Sequence, residues 1–321
     1  MISLQGWIPV SERDYEQTLL TKQFDSNTPR FSEVNGGVAD LPKRALLYDL
    51  ELKATGKLTL RYYQLSGSCV GYGGARAYML AQGGDVAVRG DRAEVKQVHP
   101  LPTYGYGRKV GGMRGKGEGS FGAAQAKAIA EFGMLAADDS RLPKMIEQDG
   151  WLKCDSGKTE INWSYSPQWP VSEATLAADA NKYVIHTVSR VRSRDELKQG
   201  FAQGYSGTMA CMFGSNNMRV KDGVLIAPWD TQWAHQQALA GYLIHDTLGE
   251  LYAVDNQWFK NAHPKCPLLS SIGSGVYGSY FITAETMDRI LKSGDAEVFL
   301  HSNTAGFPVR KYDWGNLGIG Y

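Results

Sequence analysis

The two halves of this 321-residue chain carry different secondary-structure patterns, and this segregation limits the possible fold more than any other feature. The first half is mainly helix and loop, with helices predicted over 42–55, 69–81 and 123–135. The second half has strand-like segments separated by turn residues, with strands predicted over 182–188, 207–213, 238–244, 250–254 and 278–283. Helices and antiparallel strands kept apart in sequence are typical of an α+β protein with two unlike lobes.

The composition is that of an ordinary globular protein, with 43% hydrophobic residues, 21% charged residues and a net charge of +1. A nearly neutral chain gives no reason to expect nucleic acid or an anionic membrane surface as a partner. No stretch approaches the roughly 18–20 apolar residues of a membrane span. The N-terminus has neither the basic region nor the apolar run of a secretory signal. We therefore expect a cytoplasmic or virion-associated protein.

Four regions are expected along the chain: an N-terminal extension over 1–60, a mainly helical lobe over 61–175, a mainly β lobe over 176–300 and an aromatic tail over 301–321. The extension is expected to be an added structural segment, because no recognisable inhibitory pro-segment precedes the helical lobe. Its first helix is predicted to begin at Ser11, since Ser11 and Asp14 fit the S-x-x-D/E start signal.

Cys69 is the candidate for a reactive side chain, because it follows Gly67-Ser68 at the start of the helix predicted over 69–81. That helix is expected to stop at Gly83-Gly84. It contains Gly71, Gly73 and Gly74, each of which costs about 1 kcal/mol relative to Ala. The helix is therefore predicted to be buried between the two lobes, where missing side chains allow close packing.

Thiol chemistry needs a thiolate, a base and a group that orients the base. A helix N-terminus lowers the pKa of a thiol, and an adjacent imidazolium lowers it further. His235, on a predicted strand, is the candidate base, and the side-chain oxygen of Asn256 is the candidate acceptor for its other ring N–H. The backbone N–H of Cys69 and the side-chain amide of Gln64 are the candidate donors to a developing oxyanion.

These segments resemble the papain-like cysteine peptidase family, in a bacterial or phage-type member. The resemblance covers most of residues 60–285 and is carried by Gln64…Gly67-Ser68-Cys69, by His235 followed by Gly241-Tyr242, by Asn256-Gln257-Trp258 and by Gly275-Val276-Tyr277-Gly278-Ser279-Tyr280. It implies a papain-like two-lobe fold with a helical N-terminal lobe, an antiparallel β C-terminal lobe and the site in the cleft. It also implies a Cys-His-Asn site of Cys69, His235 and Asn256, with Gln64 beside it.

The chain departs from the family pattern in several places. Gln64 lies five residues before the cysteine instead of six, and Val70 replaces the usual aromatic residue. His235 follows Cys69 by 166 residues, beyond the roughly 130–150 typical of the family. A hairpin turning at 246–249 would also place Asn256 opposite Leu239, so the chain is expected to leave the ladder after residue 254 and fold back to His235.

Two other motifs admit competing interpretations. Residues 117–122 match GxGxxG, but no buried strand precedes them and no βαβ unit follows, so a loop lining the substrate cleft is favoured over a nucleotide site. His263 and Cys266 lack a second pair at zinc spacing, and a loop turn is favoured. No cofactor and no metal are expected.

The other cysteines, Cys154, Cys211 and Cys266, form no CxxC pair, so thiols are expected, with a Cys154–Cys266 bridge as the alternative.

The sequence thus predicts a cysteine peptidase-like hydrolase that acts on a peptide or protein substrate. Because folds can lose activity, retained catalysis is a separate question. The alternative is a non-catalytic structural or assembly protein built on the same fold, for example a phage particle component. Its N-terminal extension and aromatic tail would then be surfaces for self-assembly or for a virion partner.

Overall fold

A computed structural model describes residues 6–89, 95–165, 172–183, 185–259, 261–272, 276 and 278–317. Its helices, numbered in chain order, are α1 (Tyr15–Asn27), α2 (Phe31–Val34), α3 (Leu47–Thr55), α4 (Cys69–Arg89), α5 (Pro100–Val110), α6 (Gly122–Glu131), α7 (Gly157–Tyr165), α8 (Glu173–Ala180), α9 (Arg194–Ala202), α10 (Pro267–Ser270) and α11 (Ala284–Lys292). Its strands are β1 (Arg44–Leu46), β2 (Arg61–Tyr62), β3 (Val98–His99), β4 (Leu135–Ala136), β5 (Met145–Gln148), β6 (Trp151–Cys154), β7 (Thr187–Arg190), β8 (Ser206–Gly214), β9 (Arg219–Lys221), β10 (Val224–Ile226), β11 (Thr231–His245), β12 (Gly249–Asp255), β13 (Ser279–Thr283) and β14 (Glu297–Ser302).

The second half of the chain builds one large sheet with the strand order β7-β14-β8-β11-β12-β13-β10-β9. Its neighbouring strands are antiparallel except for the parallel pair β10 and β13. The long strand β11 lies at the centre, where its first half pairs with β8 and its second half with β1 from the N-terminal extension. The predicted segregation of helices from antiparallel strands is thus observed, although a strand of the extension joins the sheet.

Two hydrophobic clusters fill the interior, and α4 contributes to both. One contains the sheet residues together with Ala77 and Leu80 of α4, whereas the other contains Cys69, Val70 and the residues of the helical region. The glycines of α4 allow this double packing. A Cβ at Gly71 would lie 2.5 Å from Cβ of Tyr104 on α5, and one at Gly73 would lie 3.1 Å from the carbonyl oxygen of Gln236 on β11. Burial therefore offsets the poor helix propensity of this segment, as the sequence indicates.

Several predicted boundaries are wrong, each for an identifiable reason. The helix at Cys69 does not stop at Gly83-Gly84 but continues to Arg89, because Gly83 packs against the backbone of Glu51 and Gly84 against the carbonyl of Gly204. The glycine-rich stretch after residue 99 is not irregular but begins with α5, which has Pro at its first position. The first helix is capped by Asp14 and not Ser11, since Asp14 and Gln17 form the capping box of α1.

The predicted aromatic tail packs against the body of the molecule. Phe307 is buried against Phe31 and Tyr205, and the Trp314 indole donates to the Ala202 carbonyl at 2.8 Å. The tail's Tyr321 lies outside the described residues. Within the described residues, no helix combines the length and the apolarity needed to cross a membrane.

Candidate active site

Cys69 is the first residue of α4, and the preceding turn, Leu65–Cys69, is held by the carboxylate of Glu160. The carboxylate accepts hydrogen bonds from the hydroxyls of Ser66 and Ser68, from the Tyr72 hydroxyl at 2.9 Å and from the Leu65 backbone N–H at 3.1 Å. Ser68 in turn begins the helix, because its carbonyl accepts from the N–H groups of residues 71 and 72. We call residues 65–69 the thiol turn. Its conformation is set by a buried carboxylate that sequence analysis did not identify.

The sulfur of Cys69 is fully buried and lies against the strand that carries His235. Its Sγ accepts from the backbone N–H of Gln236 at 3.4 Å. Burial raises the pKa of Cys69 to about 11, although backbone N–H groups of Gln236, Gly6 and Val70 act in the opposite direction. The expected lowering by the helix N-terminus is therefore outweighed in this state by desolvation.

His235 and Asn256 are joined as the sequence predicts, with 2.8 Å between Nε2 of His235 and Oδ1 of Asn256. Burial lowers the pKa of His235 to about 4, against a smaller opposing effect of this hydrogen bond. The other ring nitrogen, Nδ1, is buried and has no hydrogen-bond partner among the described residues, so no hydrogen bond to Sγ of Cys69 is present. Because the thiol pKa lies far above 7 and the imidazole pKa far below it, both groups are neutral at neutral pH.

The strand register explains how Asn256 reaches His235. Leu239 is opposite Val254 and not Asn256 for two reasons, each worth one residue: the turn is tighter, with His245 opposite Gly249, and a bulge between Leu239 and Gly241 shifts the register of β11 and β12. The ladder ends at Asp255, opposite Ala238, and Asn256 is the first residue beyond it. The expected exit from the ladder is therefore present, one residue later than residue 254.

Gln64 is buried at the same place. Its backbone N–H donates to the Gln257 carbonyl at 2.9 Å, which joins the thiol turn to the segment after Asn256. Its side-chain Nε2 donates to the Ser66 carbonyl at 3.0 Å. The structure therefore joins His235 to Asn256 through their side chains and Gln64 to Gln257 through the backbone, while the Gln64 amide is bonded to the Ser66 carbonyl.

Residues 6–8, which we call the covering segment, cross the site between the two halves of the molecule. The Trp7 N–H donates to the carbonyl of Ala234, the residue before His235, at 3.1 Å. On the other side, Ile8 N–H donates to the Ser120 carbonyl and Ser120 N–H to the Gly6 carbonyl, both at 2.8 Å, in a parallel bridge. Gly6 lies so close to the thiol turn that a Cβ there would be 1.7 Å from the Gly67 oxygen.

The covering segment is anchored by a second buried carboxylate, Glu297, at the start of β14. Its oxygens accept from the Trp7 indole at 2.8 Å and from both terminal nitrogens of Arg13, at 3.0 and 2.6 Å. The backbone N–H groups of Gly122 and Ala123 at the start of α6 also donate to it. The sequence of residues 1–60 predicts an added structural segment, and nothing in it indicates that part of the segment lies on the thiol.

Arg76 joins the helix of the thiol to the strand that ends before Asn256. Arg76 is fully buried, and its guanidinium binds Glu51 of α3 at 2.9 Å and Asp255 of β12 at 2.8 Å. Since Arg76 lies two turns after Cys69 and Asp255 directly precedes Asn256, this network fixes the distance between the two halves of the site.

His263, which the sequence analysis assigned to a plain loop turn, contacts the site directly. Its Nε2 lies 2.6 Å from Nδ2 of Asn256. Trp233, Trp258 and Tyr280 surround the ring, with centroid distances of 5.9, 5.7 and 5.3 Å. Trp258 also packs on His235 at 4.9 Å, as the Asn256-Gln257-Trp258 motif suggests. No feature of the residues around 263 distinguishes this contact from an ordinary loop.

Among the described residues, no group of three or more His, Cys, Asp or Glu side chains is arranged to hold a metal ion. The four cysteines have free thiols and are buried.

Comparison with known proteins identifies the fold. No family model and no curated protein matches the chain. Among solved structures, it is similar to xylellain, a cysteine protease from Xylella fastidiosa, with a TM-score of 0.58 and 17% identity over 94% of this chain and 97% of that one. It is also similar to the procathepsin B S9 from Trypanosoma congolense, with a TM-score of 0.50 and 9% identity over 92% of this chain and 85% of that one. The chain therefore has the α+β papain-like fold that the resemblance implies.

Proposed function

We propose that this protein is a cysteine peptidase that hydrolyses peptide bonds and is latent in the conformation described here. The observation that carries the proposal is the 2.8 Å hydrogen bond between Nε2 of His235 and Oδ1 of Asn256, beside a buried Cys69 whose Sγ accepts from the backbone N–H of Gln236, the residue after His235. The fold, shared with solved cysteine proteases, supports the same reaction class. Latency follows because the covering segment lies where an extended peptide would have to bind.

The reaction consists of two acyl transfers. Sγ of Cys69 transfers its proton to Nδ1 of His235 and attacks the carbonyl carbon of the scissile bond. The C–N bond then breaks, and the imidazolium gives the proton to the leaving amine. Water attacks the thioester with His235 as base, which releases the acid and restores the thiol. Asn256 orients the imidazole throughout.

The oxyanion formed in each step needs two donors. The N–H of Cys69 belongs to the first turn of α4, whose N–H groups have no partner within the helix. The Gln64 amide is the second candidate, and it would exchange its bond to the Ser66 carbonyl for the oxyanion. Arrival of a peptide in the cleft would displace the covering segment from Ala234 and Ser120, leaving their backbone groups for the substrate.

The test uses a peptide chloromethyl ketone and mass spectrometry of the full chain. We expect slow labelling of the wild type at Cys69, faster labelling of Gly6→Ala and none of Cys69→Ala, which retains its fold because Ala fits the buried site. Hydrolysis of a peptide library should be measured in Gly6→Ala. Undiminished labelling of Cys69→Ala would contradict the assignment of the nucleophile.

The second candidate is a non-catalytic structural or assembly protein with the same fold. The neutral, covered site favours it, because a thiol with a pKa of about 11 is unreactive at neutral pH. If Cys69 stays inert in Gly6→Ala, and a stable assembly depends on residues 1–60 or 300–321, this candidate replaces the peptidase.

A further inference from the structure

Asn256 is hydrogen-bonded at both ends of its side-chain amide. Its Oδ1 lies 2.8 Å from Nε2 of His235 and also accepts from the backbone N–H of Gln257 at 2.9 Å. Its Nδ2 lies 2.6 Å from Nε2 of His263. The three side chains therefore form a continuous row, His235–Asn256–His263, which ends at the thiol side with the unpartnered Nδ1 of His235.

The donors in this row are fixed by elementary hydrogen-bond chemistry. A backbone N–H only donates, so the atom of Asn256 facing Gln257 is the oxygen, and the atom facing His263 is the nitrogen. The Nδ2 group only donates, so Nε2 of His263 must be an unprotonated acceptor and the proton of that ring lies on Nδ1. By the same reasoning Nε2 of His235 carries a proton, which leaves Nδ1 of His235 as the basic nitrogen.

The surroundings of His263 favour this neutral form. The ring is stacked on Trp233 and contacts a tilted Trp258, and the titratable groups that face it from the packed elements are His235 and Tyr280. Burial lowers the pKa of His263 to about 4 and raises the pKa of the Tyr280 phenol. At neutral pH no charge on these neighbours favours protonation of His263.

We propose that His263 is a positioning residue, which holds the Asn256 amide so that His235 presents its basic Nδ1 to Cys69; this rests on the proposed function for its activity readout. Protonation of His263 would direct an N–H at the Nδ2 group, so that two donors face each other at 2.6 Å. A rotation of the Asn256 amide by half a turn would remove this repulsion. It would, however, place Nδ2 against two further donors, Nε2–H of His235 and the backbone N–H of Gln257. A charged His263 therefore destroys the tautomer that the reaction needs.

The test compares His263→Gln, whose amide oxygen still accepts from Asn256 but does not titrate, with His263→Leu, which has no acceptor. His186→Gln is the matched control, because His186 is exposed and outside the site. The first readout is the ¹⁵N NMR signature of each histidine ring in the full-length protein, which identifies the protonated nitrogen without any substrate. The second is the pH profile of peptide hydrolysis in the Gly6→Ala background.

In the wild type we expect the ring proton on Nε2 of His235 and on Nδ1 of His263. His263→Leu should mix the two tautomers of His235 and lower the rate about fivefold, the effect of one lost hydrogen bond of about 1 kcal/mol. His263→Gln should keep the His235 tautomer and a rate within about threefold. In the pH profile of peptide hydrolysis, the loss of activity toward low pH should then depend on one proton in His263→Gln instead of two. A residue with a merely structural role would not change this dependence.

A proton on Nε2 of His263, or an unchanged His235 tautomer in His263→Leu, would overturn the inference. If His263→Leu does not fold, two other measurements test the inference. These are the ring tautomers of the wild type and the number of protons in the acid limb of the pH–rate profile of His263→Gln. If no variant hydrolyses peptides, the proposed function fails, but the NMR measurement still decides whether His263 sets the His235 tautomer.

Discussion

Glu160 and Glu297 are buried carboxylates that act on opposite sides of Cys69, and they differ in the charge of their partners. The donors to Glu160 are neutral groups of the thiol turn and of Tyr72, and burial raises its pKa above the ordinary value. Glu297 instead has a guanidinium partner, Arg13, which precedes α1 and follows the covering segment.

The two carboxylates also bind different parts of the chain. Glu160 binds parts of the chain that also belong to the buried cluster around α4, so losing it disturbs the catalytic turn itself. Glu297 binds the covering segment, whose Trp7 ring is buried in the same cluster and whose backbone is bonded to the backbone of Ala234 and Ser120. We therefore expect changes around Glu160 to lower stability and changes in the covering segment to raise the accessibility of Cys69.

The largest effect is expected for Glu160→Ala. It leaves two hydroxyls, a phenol and a backbone N–H without their acceptor, and each unsatisfied buried group costs about 1–3 kcal/mol. We expect the free energy of unfolding in urea to fall by about 4 kcal/mol, and by less in Glu160→Gln, which keeps one acceptor oxygen. Glu12→Ala, at an exposed position, is the control and should change stability by under about 0.5 kcal/mol.

If Glu160→Ala keeps its stability but labels faster at Cys69, the two carboxylates have the same role and the comparison fails. Unchanged stability with unchanged labelling would show that the thiol turn is held by its other contacts alone.

The next effect is expected for Gly6→Ala, which excludes the covering segment by contact with the Gly67 carbonyl and leaves both carboxylates intact. Uncovering the sulfur removes the desolvation that raises its pKa to about 11. A return of the thiol pKa to its ordinary value of 9.0 increases the thiolate fraction at pH 7 by roughly a hundredfold. We expect alkylation of Cys69 by iodoacetamide to become faster by about that factor.

The pH dependence of Cys69 alkylation shows in which direction the thiol pKa changes. Wild-type alkylation should rise about tenfold per pH unit through pH 10, because the thiol titrates above that range, whereas Gly6→Ala should level off at a lower pH. Gly294→Ala is the control, since a Cβ at Gly294 meets nothing within 4 Å. Equal profiles for the wild type and Gly6→Ala would show that residues 6–8 do not limit access to the thiol.

Some of the contacts that these experiments test can be predicted from the sequence, and others cannot. The order of Cys69, His235 and Asn256 predicts a site because each lies in a short motif with its own neighbours. The α+β segregation likewise predicts the fold, which the solved structures confirm. Glu160 and Glu297 carry no such motif, because their partners lie up to 290 residues away along the chain. His263 lies only seven residues from Asn256, but it stands in a loop whose sequence has no motif.

The boundaries that sequence analysis missed have a related cause. Gly83 and Gly84 signal the end of a helix when local propensity decides, but here the backbones of Glu51 and Gly204 approach α4 so closely that only glycine fits. The bulge after Leu239 likewise depends on Gly241, whose position close to the Ala45 carbonyl comes from pairing with β1. Close packing therefore overrides local signals on both sides of the site.

The smallest effect is expected for Trp7→Phe, which keeps an aromatic ring in the covering segment and removes the indole N–H bound to Glu297 together with part of the buried ring system. A hydrogen bond to a charged group contributes about 1.5 kcal/mol, so opening of the segment should become about tenfold more frequent. We expect Cys69 alkylation at pH 7 to increase by about that factor, well below the increase in Gly6→Ala. Trp314→Phe is the matched control, because its indole makes a bond of the same length to the Ala202 carbonyl far from the thiol. An equal increase in both variants would mean that the gain reflects general loosening of the fold, and Glu297 would then have no separate part in keeping the thiol covered.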